Sequence, residues 1–279
     1  MTAPGLIGIV GIGLLGSAVA DRLSASGCEV VGYDVEPERR RGANSVREVM
    51  RRASIVLLVL PNSDIAGQVL ADAEPLRAAL TILDLTTGDP DAMQATGERF
   101  AARGIAYIDA TVGGSSEQTR RGEAIVMAGG SAESVERCRP VMAAFARQVF
   151  HVGLCGSGAR MKLAMNLVLG LNRAALAEGL AFAAAEGLSM EAALEIFRAG
   201  PAWSRAMDVK GRRMIERSFQ PEARLAQHRK DVDLILAAAA RTGARTPLSA
   251  LHRELLIELE RAGFGGDDNS AIIRAFKPE

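Results

Sequence analysis

Along the first half of the chain, short apolar runs alternate with segments whose apolar positions recur at helical spacing. The runs Leu6 to Val10, Glu29 to Tyr33, Ile55 to Leu60, Thr81 to Leu85, Ile105 to Asp109, Ala124 to Ala128 and Gln148 to Val152 read as strands. Between the first five lie segments of the length a right-handed crossover helix needs, so the pattern predicts an open, mostly parallel sheet with helices on both faces. Beyond His151 the pattern changes. A glycine-rich joint, GLCGSG at 153–158, is followed by Ala-rich and Leu-rich sequence with no convincing strand. The stretch from Ala159 to about Glu186 lacks proline and predicts one helix about 40 Å long, crossing from one domain to the next. Gly187, Pro201, Pro221 and Pro247 then punctuate further helices. The expectation is two domains: an α/β, doubly wound unit over residues 1–156 and an all-α C-terminal unit over 157–279.

Composition narrows the class. At 279 residues with 24% charged and 4% aromatic residues, the chain suits two globular domains and excludes a disordered or collagen-like polymer. Thirty-three basic residues balance 33 acidic ones, so no broad positive field invites nucleic acid or an anionic membrane. The apolar stretch at 6–20 is preceded by MTAPG, without Lys or Arg, and is interrupted by glycines; it does not read as a secretion signal. Cys28, Cys138 and Cys155 are widely spaced, which argues against a disulfide framework or a zinc site. The expected setting is the cytoplasm, with no membrane partner and no metal. Of the basic residues 29 are Arg and four are Lys: Lys162, Lys210, Lys230 and Lys277. Arg stays charged at any working pH whereas a buried Lys can lose its proton, so the lysines are candidates for titration chemistry.

One turn carries a more specific signal. Gly11-Ile12-Gly13-Leu14-Leu15-Gly16 has GxGxxG spacing directly between the first strand and an amphipathic helix. Gly11 permits the tight turn, Gly13 admits a pyrophosphate to the backbone, and Gly16 lets helix and strand pack closely. The helix N-terminus adds N–H donors and partial positive charge. The second strand ends in Asp34, about where a carboxylate meets the adenosine ribose of a dinucleotide in a Rossmann fold. A carboxylate there repels a 2′-phosphate and favours NAD; Arg39, Arg40 and Arg41 beyond it leave NADP open.

With these residues in view the chain resembles the β-hydroxyacid dehydrogenase family, which includes 3-hydroxyisobutyrate dehydrogenases and tartronate semialdehyde reductases. The resemblance rests on GIGLLG, on LPN at 60–62, DLTTGDP at 84–90, DATVGGSSEQTRRG at 109–122, GLCGSGARMKLAMN at 153–166 and RKD at 229–231. It implies that Leu60, Pro61 and Thr87 line the coenzyme near its nicotinamide, that residues 109–122 bind substrate, that Lys162 is catalytic, and that Lys230 closes over coenzyme or substrate. Physics supports Lys162 separately. Moving a hydride between a carbinol carbon and a nicotinamide requires a proton to leave or join the oxygen, and a desolvated lysine serves as that acid or base. Lys162 and Asn166 are four apart on the long helix, with Leu169 and Arg173 continuing the face, so both are expected to project together into the interdomain cleft. Asn166 would orient the hydroxyl or the ammonium. His151, His228 and His252 read as structural, and Trp203 as a packing residue at the cleft or a subunit boundary.

The sequence also departs from the family. Where relatives read DxPVSGG, this chain reads DATVGGS: Gly113 takes the serine position, Gly114 is retained and Ser115 follows. Backbone N–H groups of Gly113 and Gly114 can still hold a substrate carboxylate, with a hydroxyl displaced to Ser115. Gln118, Arg120 and Arg121 downstream leave room for a more polar or dianionic acid. The expected activity is hydride transfer between NAD and a small 3-hydroxy acid or its semialdehyde, by a homodimer or homotetramer. The alternatives are an imine-reductase-like enzyme, in which the lysine is typically replaced, and a non-catalytic NAD-binding sensor or scaffold.

Overall fold

The computed structural model describes residues 5–276; Lys277 lies outside them. Strands β1 (Ile7–Val10), β2 (Val30–Tyr33), β3 (Ile55–Leu58), β4 (Thr81–Asp84), β5 (Ala106–Gly113), β6 (Ala124–Gly129) and β7 (Ala146–Gly153) form one sheet in the order β2-β1-β3-β4-β5-β6-β7. All neighbours pair in parallel except β5 and β6, which run antiparallel. The intervening helices are α1 (Leu14–Ala25), α2 (Val46–Arg52), α3 (Ser63–Asp72), α4 (Pro90–Ala101), α5 (Ser116–Arg120) and α6 (Ala132–Ala143). Several start where a side-chain oxygen satisfies a first-turn N–H: Ser45 for α2, Asn62 for α3, Asp89 for α4 and Ser131 for α6.

From β1 to β6 the sheet is buried on both faces, with β7 a largely exposed edge, and the period of two assigns each strand residue to a layer. Ile7, Ile9, Leu57, Leu83 and Ile108 join Val19, Leu23 and Phe145 on one side. Val10, Val31, Val56, Leu58 and Ile82 join Val49, Phe100 and Tyr107 on the other. Each such side chain contributes about 1.5–3 kcal/mol of burial, which fixes register, since a one-residue slip would exchange the layers. The strand order reverses at β1, which pairs with both β2 and β3, and this is where open α/β sheets bind ligands.

Strand β7 is longer than expected at both ends, and β5 beyond Asp109. Pairing with β6 from Asp109↔Gly129 to Gly113↔Ile125 carries β5 through the DATVG segment, so that segment is sheet and not loop.

From Ser157 the chain is helical: α7 (Ser157–Ala185), α8 (Met190–Ala199), α9 (Arg205–Ile215), α10 (Leu225–Thr242) and α11 (Pro247–Arg261). The chain divides into two compact units, Met1–Lys162 and Leu163–Glu279, and the division falls within α7. The second unit has its own core, with Leu176, Leu180, Leu194, Met207, Val232 and Leu256 among its buried residues. By length and composition α7 is also apolar enough to cross a bilayer. Its buried Asn166 and Arg173, bonded or charge-coupled to α10, mark it as a core helix instead.

Candidate active site

The turn after β1 is built as its glycines require. Gly11 has φ +92°, and a Cβ there would run into the Val59 carbonyl; a Cβ on Gly16 would strike the Gly11 carbonyl oxygen. Gly13 faces open space and caps α1 without a side-chain bond, and the first turn of α1 holds no acidic residue. This is a backbone cradle for an anion at a helix N-terminus. An open cavity of about 440 Å³ adjoins it, lined by Ile12, Gly13, Leu14, Ser17 and residues 38–41. The residues present therefore fit the adenosine and pyrophosphate of a dinucleotide.

Asp34 is buried at the rim. Its carboxylate accepts from the Ile12 N–H at 2.6 Å and the Glu36 N–H at 3.0 Å, which ties the end of β2 to the glycine turn. Of the three consecutive arginines, Arg40 donates to the Asp34 carbonyl and lies over the Tyr33 ring, while Arg41 pairs with Asp21 at 2.6 Å. Leu60 and Pro61 follow β3, where the Leu60 N–H donates to the Thr86 hydroxyl at 3.3 Å; Thr87 is half-buried next to it.

Lys162 stands in the second turn of α7, and its ammonium donates to the Val112 carbonyl at 2.7 Å. That places the amine at the end of β5, beside Gly113 and Gly114. Gly114 has φ +149°, a conformation that disfavours any side chain, and a Cβ there would crowd Ala124 and Gln118. Ser115 accepts from the Gln118 N–H at 3.1 Å while the Gln118 side chain accepts from the Ser115 N–H at 2.9 Å, a capping box that starts α5. Arg120 pairs with Asp21, and Arg121 with Glu117 and Glu123. The polar groups downstream of the glycines thus cap α5 and pair with acidic residues of α1, α5 and the turn after it.

Asn166 is 6% exposed, and its amide donates to Asp231 of α10 at 3.0 Å. Lys230 is half-buried on α10; burial pulls its amine down, with the Asp231 charge opposing. Arg173 is buried, and its guanidinium is pushed down to about 10 by burial, against the charges of Asp268 and Asp231. His228 and His252 pack ring to ring at 5.2 Å, under Gly170 of α7, where a Cβ would meet both rings. His151 bonds the Gly130 and Gly153 carbonyls and is exposed. Trp203 is 54% exposed.

Two residues that stand in the quoted motifs without a role of their own are prominent here. Asp109 is wholly buried in β5, and its carboxylate accepts from the Gly156 N–H at 2.8 Å and the Ala159 N–H at 2.7 Å. It lies inside the segment expected to bind substrate, yet it is committed to the start of α7. Burial, against those two bonds, pushes its carboxyl up to about 6. Asp231 is the other, through its bond to Asn166. Burial pushes the thiols of Cys138 and Cys155 up to about 11 and about 12, so neither is a nucleophile near neutrality. Among the described residues no group of three His, Cys, Asp or Glu converges as a metal site.

Comparison with known proteins agrees over the whole length. Residues 6–153 match the family described as the NAD binding domain of 6-phosphogluconate dehydrogenase, and residues 156–276 the one described as NAD-binding of NADP-dependent 3-hydroxyisobutyrate dehydrogenase. The chain is 29% identical to L-threonate dehydrogenase of Cupriavidus necator, over 97% of this chain and 95% of that protein. It is 28% identical to 2-hydroxy-3-oxopropionate reductase of Escherichia coli, over 97% of each. The solved structure of Mycobacterium tuberculosis 3-hydroxyisobutyrate dehydrogenase with L-serine has the same fold, at TM-score 0.90 and 23% identity, over 98% of this chain and 99% of that one. A dinucleotide cradle at the switch point of a Rossmann sheet, followed by this helical unit, defines an NAD(P)-dependent oxidoreductase. The chain belongs to the β-hydroxyacid dehydrogenase family.

Proposed function

We propose that the protein interconverts a small 3-hydroxy acid and its semialdehyde, with Lys162 as the acid or base, Gly113 and Gly114 holding the substrate carboxylate, and NAD preferred. The observation that carries this reading is the Lys162 ammonium seated on the Val112 carbonyl, next to that glycine pair and one helical turn from Asn166.

The turn from Gly11 to Gly16, with Asp34, Leu60, Pro61, Thr87 and Lys230, would hold the coenzyme, which supplies the acceptor or donor of hydride when bound. The chain's own residues handle the proton. The Val112 carbonyl holds the Lys162 side chain and restricts its arc; the neutral amine takes the hydroxyl proton on oxidation, and the ammonium returns one to the carbonyl oxygen on reduction. Asn166 donates to Asp231, which fixes its amide plane and leaves the amide oxygen to orient an O–H or N–H donor. Backbone N–H groups at Gly113 and Gly114, with the Ser115 hydroxyl, receive one carboxylate. Because Arg120 and Arg121 are paired elsewhere, a monocarboxylate suits the site better than a dianion.

The NAD preference follows from Asp34, whose charge repels a 2′-phosphate, and from the engagement of Arg40 and Arg41 with other partners. We place the reaction in the cytoplasm. A homo-oligomer is favoured by the exposed Phe182, Leu188, Ile196, Leu248 and Leu251 of the second unit. Lys162 weighs against an imine reductase and against a sensor without chemistry.

The test is turnover by purified protein with NAD+ or NADP+ over a panel of small hydroxy acids that includes L-threonate, with 2-hydroxy-3-oxopropionate in the reductive direction. The expected result is NADH formation with at least one acid and a higher kcat/KM with NAD+ than with NADP+. Lys162→Ala is expected to keep coenzyme affinity and lose at least about 100-fold in kcat. Near-normal turnover in that variant would remove the amine from the mechanism.

A further inference from the structure

β5 is bound to the first two turns of α7 by a short series of contacts. Asp109 accepts from Gly156 and Ala159, the Thr111 hydroxyl donates to the Gly158 carbonyl at 3.0 Å, and Lys162 donates to the Val112 carbonyl. Asp109, Thr111 and Val112 thus meet the helix at successively later positions, and the carboxylate is the anchor at its N-terminal end. Space for anything else is absent there. A Cβ on Gly129 or on Gly158 would collide with Asp109. A fully buried carboxylate is costly unless its oxygens are bonded, and this one is bonded to two N–H groups at the positive end of a 29-residue helix.

We infer that Asp109 is a positioning residue for the reaction: its carboxylate holds the N-terminal turn of α7 against β5 and so fixes where the Lys162 amine stands. The inference rests on Lys162 being the proton carrier. Asp109 itself touches neither substrate nor coenzyme. A protonated carboxyl keeps one good acceptor and turns the other oxygen into a donor, so the bond to Gly156 or to Ala159 is lost on protonation. The first turn then loosens, and Lys162 with it. The titratable groups facing Asp109 are Asp84 from β4, Tyr107 from β5 and Cys155 from the turn before α7; β6 contributes only Gly129. Asp84 adds to the effect of burial on Asp109, and the raised carboxyl of Asp109 puts the transition within reach of activity assays.

Asp109→Asn mimics the protonated state in nearly the same volume. The variant is expected to lose about 10- to 100-fold in kcat at pH 8, the scale of a small misplacement of a reacting group. Coenzyme Kd and substrate KM stay within about threefold, because the glycine cradle and the Gly113–Gly114 pair are not bonded to Asp109. The wild-type pH profile of kcat carries an acid limb near pH 6 that is missing in the variant, whereas any limb belonging to Lys162 persists. Hydrogen exchange on the unaltered protein gives a second reading. Protection of the Gly156 and Ala159 amides, corrected for intrinsic pH dependence, is expected to fall between pH 7 and pH 5. Wild-type kcat in Asp109→Asn, retention of the limb near pH 6, or unchanged amide protection would each overturn the positioning role. Where Lys162→Ala is inactive and Asp109→Asn is normal, this inference alone fails; where Lys162→Ala turns over normally, the reading of Lys162 fails and takes this one with it.

Discussion

At the scale of single residues, Gly13 and Gly16 belong to one turn yet differ in what a methyl group would meet. A Cβ on Gly16 strikes the backbone at Gly11, whereas one on Gly13 meets nothing within 4 Å. The backbone at Gly13, φ −76° and ψ −157°, is one that alanine adopts without strain. Gly13→Ala is therefore expected to leave the melting temperature within about 2 °C and to weaken coenzyme binding at least about tenfold, since the methyl fills the path of the pyrophosphate. Gly16→Ala is expected to destabilise the fold by about 1–3 kcal/mol as well as to weaken binding. Calorimetry with and without coenzyme checks both; equal loss of stability in the two variants would show that the turn is structural only. These glycines were legible in the sequence because their constraint is local. Asp109 was not, because its partners lie 47 and 50 positions along the chain and nothing in its neighbours announces them.

Element boundaries depend on partners in the same way. The expected strand ending at Asp109 stopped where a carboxylate interrupts an apolar run, but pairing with β6 continues the ladder to Gly113 and the α7 N-terminus satisfies the carboxylate. Helix α7, by contrast, was readable from its long proline-free run of Ala and Leu. In the second unit the fully buried Asp268 joins α9 to the segment before α10 and to the C-terminal turn. It accepts from Lys210 at 2.8 Å and from Ser270 at 2.8 Å. Burial alone would raise its carboxyl; the bonds and charge of Lys210, with Ser270, outweigh that and hold it at about 2. Its folded value lies below the unfolded 3.8, so the stabilisation, about 2 kcal/mol, is present above pH 4 and is lost as pH falls toward 2. Asp268→Asn leaves the buried Lys210 amine with the half-exposed Glu222 at 3.4 Å as its acidic partner and is expected to cost about 3 kcal/mol in urea unfolding at pH 7. Adding Lys210→Met should recover a large part of that. Failure of the double variant to recover would mean that the cluster's backbone bonds, not its charges, hold these elements.

Over the whole molecule, the groups that titrate between about pH 4 and 6.5 are a buried carboxyl in the first unit and a buried imidazole in the second. Their protonation acts on stability in opposite directions over one pH range. In the second unit, burial first and then the Arg173 charge pull His252 down from 6.5 to about 4. Its stabilisation is complete above pH 6.5, where both states are neutral. It is lost on acidification toward pH 4, because the unfolded chain takes up the proton first; the loss is of order 3 kcal/mol. In the first unit the Asp109 carboxyl is raised from 3.8 to about 6, and burial also raises Asp84. There the folded state takes up the proton first, so stability is gained as pH falls from 6 toward 4. Between pH 6.5 and 4.5 hydrogen exchange is thus expected to show slow amides in α10 and α11 losing protection while those in β3 and β4 hold or gain. His252→Gln should abolish the loss in α10 and α11. The sequence carried the division into a sheet unit and a helical unit, since that follows from periodicity. It could not carry this difference in pH response, which depends on which carboxylate and which imidazole the two cores enclose. Parallel loss of protection in both units would mean that acid acts through net charge, with the buried groups titrating at ordinary values.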